Sequence, residues 1–587
     1  MAEVTNKEFA AILERMAAIM EVQGENRFRV AAMQRAARAI ESAPEIATLV
    51  DEDDPSDLSK LLEIDGIGEG LAERAVELVT TGSLDEYDQL LEEVPAGVVA
   101  MLDVPGLGPK TVARFWHEAD IESPDELAAR IDSDPESLTS LKGIGKKTLE
   151  KIGRNLEFAA SAADRVRIGT AMPVAESLVE ALTDVKGVQR VTYAGSLRRG
   201  RETIGDLDLL VAADADNAEA ISEAFVELDP VDEVIAQGST KTSVRLGTGL
   251  QVDLRIVEPG CFGAALMYFT GSKEHNVRLR ERAIDRGGKL SEYGYFQDNE
   301  EEPAAAETEE AVYEALELPW IPPELREDRG EINLAENDEL PALIESEDVV
   351  AELHAHTTAS DGSWSIRELA EAAAERGCHT VAVTDHSVSQ SIANGLSAAR
   401  LEEHIEAVRE VADDLADTIT VLAGSEVDIL ADGSLDYEDE LLAELDLVVA
   451  SPHTALSQGS QEATDRLLRA IDHPYVTILG HPTGRLVGQR EGLSPDMGRL
   501  IEAAADRGIA LEINANHRRL DLRDVHARQA LEAGVKLSIN TDAHGPDHFN
   551  ELRYGILTAR RAGATAADVI NCLGRDELAE WIQSTRD

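Results

Sequence analysis

Three textures of apolar and polar positions succeed one another along the chain. Residues 1–160 read as short helices parted by glycine turns. From about 165 to 257 the pattern turns to β-rich segments, VTYAG, DLDLLVAA and QVDLRIV, with two helical stretches between them. Residues 258–337 are mixed; QDNEEEPAAAETEE (297–310) reads as a solvated loop or helix start, and LAENDELPALIESED (334–348) as a linker. From 349 onward seven apolar runs recur: VVAELHAH, HTVAVTDH, ITVLAGSEV, LDLVVASPH, YVTILGHP, IALEINA and KLSINTDAH. Helical patterns such as SIRELAEAAAERG separate them. Alternating strands and helices predict a parallel sheet, as a barrel or a doubly wound layer.

The 587 residues allow roughly four domains at about 150 each. Charge changes the picture more: 54 Lys plus Arg against 114 Asp plus Glu give −60, while 43% hydrophobic residues keep the composition globular. Only 12 of the basic residues are lysine. Acid excess with scarce lysine points to a halophilic cytosol, where a hydrated charged surface keeps protein soluble. No run of 18 apolar residues is present, so no membrane span is expected. The N-terminus lacks a basic and apolar leader. The three cysteines, Cys261, Cys378 and Cys572, are far apart and form no CxxC, which argues against a disulfide scaffold or thiolate zinc site and fits a reducing cytoplasm. Of 14 histidines, 12 follow residue 350.

Three glycine turns share one form: IDGIGEG (64–70), VPGLGPK (104–110) and LKGIGKK (141–147). Paired glycines permit backbone shapes that a Cβ blocks, and amides exposed before a helix N-terminus suit a phosphate. Gly66-Ile67-Gly68, Gly106-Leu107-Gly108 and Gly143-Ile144-Gly145 resemble helix-hairpin-helix DNA-binding motifs. Lys142, Lys146, Lys147 and Lys151 place a third of the lysines at the last turn.

Residues 195–209 read GSLRRGRETIGDLDL, with Asp206 and Asp208 two apart on a predicted strand and so on one face. Asp253 in QVDLRIV lies on a strand that can pair alongside. Three converging carboxylates can hold two Mg²⁺ or Mn²⁺ ions for nucleotidyl transfer. Ser196 and Arg199, at the Gly195 turn, are placed for the leaving phosphates.

The set GSxRRG…GDxD, a third Asp and YFTGSKEHN (268–276) resembles the family X DNA polymerases, relatives of DNA polymerase beta. LSEYGYF (290–296) and ELPWIPPELREDRGEI (317–332) resemble the last polymerase subdomain of bacterial and archaeal members. The resemblance implies that Gly195, Ser196, Arg199 and Gly205 bind nucleotide, that Tyr268 and Phe269 line the sugar pocket beside Gly271, and that Asn276 reaches the base. Two departures stand out. Arg74 occupies the position of the family's lyase lysine, and a guanidinium cannot be that nucleophile. Gln251 replaces the arginine that vertebrate relatives carry beside the third aspartate.

Metal-type residues crowd the ends of the later strand candidates: His354, His356, Asp361, His386, Glu426, His453, His481, Asp542 and His544. Strand C-termini converge on one mouth of a parallel barrel, where such residues can hold two or three ions, Mn²⁺ or Zn²⁺. HAHTTASDG, TDHS, GSEVD, SPH, GHP and NTDAH resemble the PHP (polymerase and histidinol phosphatase) domain over 349–545. That resemblance implies one site of His354, His356, Glu426 and Asp542, a second of Asp361, His386 and His544, and a third of His453 and His481 with Glu426 bridging. His379, His404, His473, His517, His526 and His548 read as structural or surface residues.

The expected plan is multidomain. A helical helix-hairpin-helix region covers 1–80 and 81–160, with Gly66, Gly68, Gly106, Gly108, Gly143, Gly145, Lys146 and Lys147 on DNA. An α+β polymerase-beta-like nucleotidyltransferase palm covers 161–257, a nucleotide-binding subdomain 258–337, a linker 338–348 and a (β/α)7-type PHP barrel 349–587. Expected partners are gapped or nicked DNA and deoxynucleoside triphosphates, with the chain a cytoplasmic monomer. The competing readings are a phosphoesterase with a vestigial polymerase and a DNA end-binding scaffold.

Overall fold

Helix-forming and strand-forming segments separate cleanly in the computed structural model, which describes residues 6–586 except 42–45, 47–48, 51–57, 63–66, 82–83, 103, 105–106, 164 and 298–299. Gly66 and Gly106 lie outside the described residues. The chain divides into two compact units, Met1–Ala163 and Asp164–Asp587. No described helix is long and apolar enough to cross a membrane.

The first unit is helical, with Leu13, Met16, Met20, Ala75, Val98, Phe115 and Leu127 in one core. The apolar residue between each glycine pair points inward: Ile67, Leu107 and Ile144 are buried. The second glycine of each pair faces outward. A Cβ at Gly68, Gly108 or Gly145 would meet nothing within 4 Å, so internal packing does not demand glycine there. Each opens a helix, Glu69–Thr81, Pro109–Ala119 and Lys146–Ala163. Gly143, at φ +82°, does need glycine.

The second unit begins with a five-stranded sheet in the order Arg190–Tyr193, Asp206–Ala212, Gln251–Val257, Lys241–Leu246 and Val231–Ala236. Period-two alternation sorts its side chains. Leu207, Leu209 and Val211 join the core beneath helix Ile168–Thr183, while Leu210 and Ala212 pack with Phe262, Ala265 and Leu266 of helix Phe262–Thr270. Asp206 and Asp208 share the second face.

A smaller core around Tyr295, Tyr313, Leu316 and Ile321 follows. The stretch 297–310 is no free loop at its end, because Thr308 caps helix Glu309–Ala315 and Glu309 is buried. Glu309 accepts from Arg198 at 2.7 and 2.8 Å, Arg326 at 2.7 Å and Trp320 Nε1 at 3.1 Å, clamping this subdomain to the palm. The stretch 334–348 is docked as well: Ile344 is fully buried in the barrel core and its N–H donates to Ala564 O.

Seven parallel strands complete the unit in sequential order, Ala351–Ala355, Thr380–Val383, Thr420–Asp428, Leu447–Ser451, Ile478–Leu479, Ala510–Asn514 and Leu537–Asn540. A bridge between Ala355 and Ala543 joins first to last, so the sheet is a barrel and not a doubly wound layer. Buried on both faces, its strands read as near-continuous apolar runs. Ile570, Leu578 and Ile582 pack against Leu353, Leu447 and Ile478 in a core of the barrel.

Candidate functional site

The parallel pairing of Asp206–Ala212 with Gln251–Val257 puts Asp208 directly beside Asp253. Asp206 stands two residues earlier on the same face, exposed to solvent. Gly195 makes this crowding feasible: at φ +63° a Cβ there would lie 2.4 Å from Asp208 Oδ2. Burial, then the neighbouring Asp206 and Asp253 charges, pushes the Asp208 carboxyl up to about 7. Burial also pushes Asp253 up, but hydrogen bonds from Lys241, Ser243 and Gln251 outweigh it and hold that carboxyl below its ordinary value. Lys241 Nζ lies 2.6 Å from Asp253 Oδ2, and Gln251 donates to Oδ1 at 3.0 Å.

Asp206 and Asp208 open onto a cavity of about 710 Å³ lined by Gly195, Ser196, Arg199, Tyr268, Gly271 and Asn276, with Phe269 beside them. Gly205 precedes Asp206 under the Arg165 guanidinium. Arg199 is not free in the cavity. It donates to Glu327 at 3.1 Å and to the carbonyl of Thr270. Asn276 donates to Tyr268 O at 2.7 Å, leaving its buried Oδ1 without a partner. Phe269 carries the Arg255 guanidinium 4.4 Å above its ring.

The second constellation sits at the carboxyl ends of the barrel strands. Three groups have side-chain donors mutually within 4.8 Å: His354, His356, Glu426 and Asp542; His356, Asp361, His386 and His544; and His386, Glu426 and His453. The first is the expected set. In the second, His356 joins Asp361, His386 and His544. In the third, His386 stands where His481 was expected; His481 instead directs Nε2 at Glu426 Oε1, 2.7 Å away. Buried His354 Nε2, His356 Nδ1 and His453 Nε2 make no well-directed hydrogen bond. His354 Nε2 and His453 Nε2 lie 3.4 and 3.3 Å from Glu426 Oε1, and imidazole nitrogens so placed beside a carboxylate are the donor set of a divalent-cation site. Burial and the nearby His544 and His386 push His356 down to about 4, keeping that imidazole neutral.

Sequence reasoning missed the residues that orient these donors. Glu512, fully buried on the strand with no metal-type residue at its end, accepts from His354 Nδ1 at 2.7 Å, His481 N–H at 2.8 Å and Asn540 at 2.9 Å. Asp428 Oδ1 lies 3.1 Å from His453 Nδ1. Asp385 accepts from Thr357 and Ser360 and lies 2.9 Å from His404 Nε2. A single carboxylate inside an apolar strand, as in ALEIN, is the signal that could have found Glu512.

The barrel also buttresses the palm. Arg561 of helix Leu552–Ala562 donates to Arg199 O at 2.7 Å, Glu327 at 2.8 Å and Asp524 at 2.8 Å. Arg485 reaches Glu202 at 2.7 Å, and Leu520 and Tyr554 enter the palm core.

A polymerase-type palm beside a histidine-rich parallel barrel, with helix-hairpin-helix turns in the same chain, defines a class of DNA-acting enzymes. The family models agree: Helix-hairpin-helix domain over 4–84, SAM-like Helix-hairpin-helix tandem over 98–155, DNA polymerase beta thumb over 265–327 and PHP domain over 352–516. The chain is 38% identical to the DNA polymerase/3'-5' exonuclease PolX of Bacillus subtilis (strain 168), over 98% of this chain and 99% of that protein. It belongs to the family X DNA polymerases that carry a C-terminal PHP domain. The barrel region is also similar to probable phosphatases, 29% identical in Thermoanaerobacter sp. (strain X514) over 38% of this chain and 90% of that protein. In Shewanella loihica (strain ATCC BAA-1088 / PV-4) the figures are 31%, 33% and 78%.

Proposed function

We propose that this chain fills gaps in DNA with its palm and trims 3′ ends with its barrel, in cytoplasmic DNA repair. The observation that carries the reading is the coexistence, in one compact unit, of an intact carboxylate triad and an eight-residue His/Asp/Glu cluster with His481 directed at its Glu426. Asp206, Asp208 and Asp253 would hold two divalent ions, Mg²⁺ or Mn²⁺, which when bound would lower the pKa of a primer hydroxyl and neutralise triphosphate charge. Asp208 must give up its proton to serve, and Gly195 leaves the room it needs. Ser196, Gly205 and Arg199 hold phosphates, Tyr268, Phe269 and Gly271 the sugar, and Asn276 the base edge. Glu327 holds Arg199 at the rim of that pocket.

In the barrel, His354, His356, Asp361, His386, Glu426, His453, Asp542 and His544 fit two or three ions, Mn²⁺ or Zn²⁺, which when bound would supply Lewis acidity toward a phosphodiester, and His481 would join them beside Glu426. Glu512 and Asp428 fix the tautomers of His354 and His453. The outward glycines Gly68, Gly108 and Gly145, with Gly143, Lys146 and Lys147, offer amides and charge to the phosphates of gapped or nicked DNA. Arg74 donates to Glu86 at 2.8 Å and cannot form a Schiff base, so this position supplies no lyase nucleophile and any lyase activity would be weak and come from another lysine.

Asp206→Ala should abolish extension of a primer by deoxynucleotides while leaving 3′ trimming intact, and His356→Ala should do the reverse. Normal extension by Asp206→Ala would overturn the palm assignment.

A further inference from the structure

Arginines at the junction of palm and barrel fall into two kinds. Arg485, Arg553, Arg560 and Arg561 are ion-paired, with Glu202, Glu176, Glu324 and Glu327 respectively. A second set has no such partner. Among the described residues no carboxylate lies within the 4.0 Å ion-pair distance of Arg165, Arg167, Arg490 or Arg518, in a chain of net charge −60.

The unpaired set forms a row. Arg165 donates to Thr203 Oγ1 at 3.0 Å and overhangs Gly205, the neighbour of Asp206. Arg167 pairs with Thr203 in a two-residue ribbon, two positions on and so on the same side. Its buried Nη1 has no hydrogen-bond partner. The palm helix then abuts the barrel, since a Cβ on Gly169 would lie 2.2 Å from the His517 ring. Arg518, the next residue of that barrel loop, is exposed; burial, and after it the Arg518 charge, holds the Arg167 guanidinium below its ordinary value. Arg519 follows, with Nε 3.5 Å from Asp542 Oδ2 of the metal-type cluster, and Arg490 stands near it, held by Gly484 O at 2.7 Å. The row thus runs from the palm carboxylates to the barrel mouth, its unpaired members ending at Arg519, which is ion-paired with Asp542 at the mouth itself.

We propose that this row of unpaired arginines binds the sugar–phosphate backbone of an unpaired single-stranded 3′ end and hands it from the palm to the barrel without release of the DNA. The inference rests on the polymerase-and-trimming reading above. A mispaired primer end has lost its base pairing and keeps its phosphates, and guanidinium forks match phosphates whatever the sequence. Handover within one complex replaces a bimolecular capture with an intramolecular one, so weak contacts suffice. Acidic partners along the row would cancel it.

The test uses the full chain with Arg167→Glu and Arg518→Glu combined. A 5′-labelled primer with a mispaired 3′ end is bound in a gap, and Mn²⁺, deoxynucleotides and a large excess of unlabelled trap DNA are added together. Wild type should remove the mispair and extend in one encounter. The variant should give roughly tenfold less trap-resistant trimmed-and-extended product, in line with the loss of intramolecular advantage. Its extension of a matched primer and its cleavage of a free single-stranded oligonucleotide should stay close to wild type, and Arg167→Lys with Arg518→Lys should restore most of the handover. Unchanged trap-resistant product overturns the proposal. So does a parallel fall in cleavage of the free oligonucleotide, which would make these arginines part of the trimming site or of the fold. A wild type that neither extends nor trims refutes the underlying reading instead.

Discussion

Glu512→Gln changes one atom in the barrel and should separate the two activities by an amount the structure sets. The carboxylate has only donors around it: His354 Nδ1 and Asn540 Nδ2 on one oxygen, the His481 N–H on the other. A glutamine keeps the volume but turns one oxygen into a donor. Either the His481 amide or the His354 ring then faces another N–H in a fully buried site. Leaving one buried donor unpaired costs about 1–3 kcal/mol of stability. Losing the partner that fixes His354's tautomer weakens metal binding by about 10–100-fold. The assay is the Mn²⁺ concentration for half-maximal 3′ trimming, with matched-primer extension as the control. Half-maximal Mn²⁺ should rise by about one to two decades, with extension unchanged. An unaltered Mn²⁺ dependence would refute the argument that Glu512 orients His354, and equal loss of extension would show collapse of the whole unit.

Three further outcomes are expected. Arg561→Lys loses the fork that joins Arg199 and Glu327 to Asp524, so the KM for deoxynucleotides should rise several-fold to about tenfold with kcat little changed; steady-state kinetics decide it. Glu309→Gln breaks a buried cluster and should cost about 3 kcal/mol in chemical denaturation. Burial opposes the Glu309 charge, but Arg326 and Arg198 more than offset it and depress its pKa, so its contribution is complete above its ordinary 4.5 and wanes as pH falls below that; the gap between wild type and variant should shrink there. Melting temperature by circular dichroism should climb from dilute buffer to molar KCl, because screening relieves a net charge of −60; a flat profile would contradict a fold adapted to salt.

Much of the barrel was legible because doubly buried parallel strands leave continuous apolar runs, and the metal-type residues follow those runs directly. The palm carboxylates were legible because a strand's two-residue period places Asp206 and Asp208 on one face. Long-range pairings were not. Nothing local in QDNEEEPAAAETEE tells that Glu309 will be buried between Arg198 and Arg326, residues 111 and 17 positions away. Ile344 looks like linker until the barrel covers it. Arg199 was expected to bind the leaving phosphates, and its pairing with Glu327 needed the fold. Glu512 hid as one polar letter in an apolar run. His386, His453 and His481 all converge on Glu426, and only coordinates divide them between groups.

The most direct test of the account follows a 5′-labelled primer in gapped DNA, with Mn²⁺ at molar KCl, with and without deoxynucleotides. Lengthening with nucleotides and shortening without them, by one preparation on one substrate, is the predicted result. A primer that changes length in neither condition would contradict the central claim that both the carboxylate triad and the histidine-rich mouth act on DNA ends.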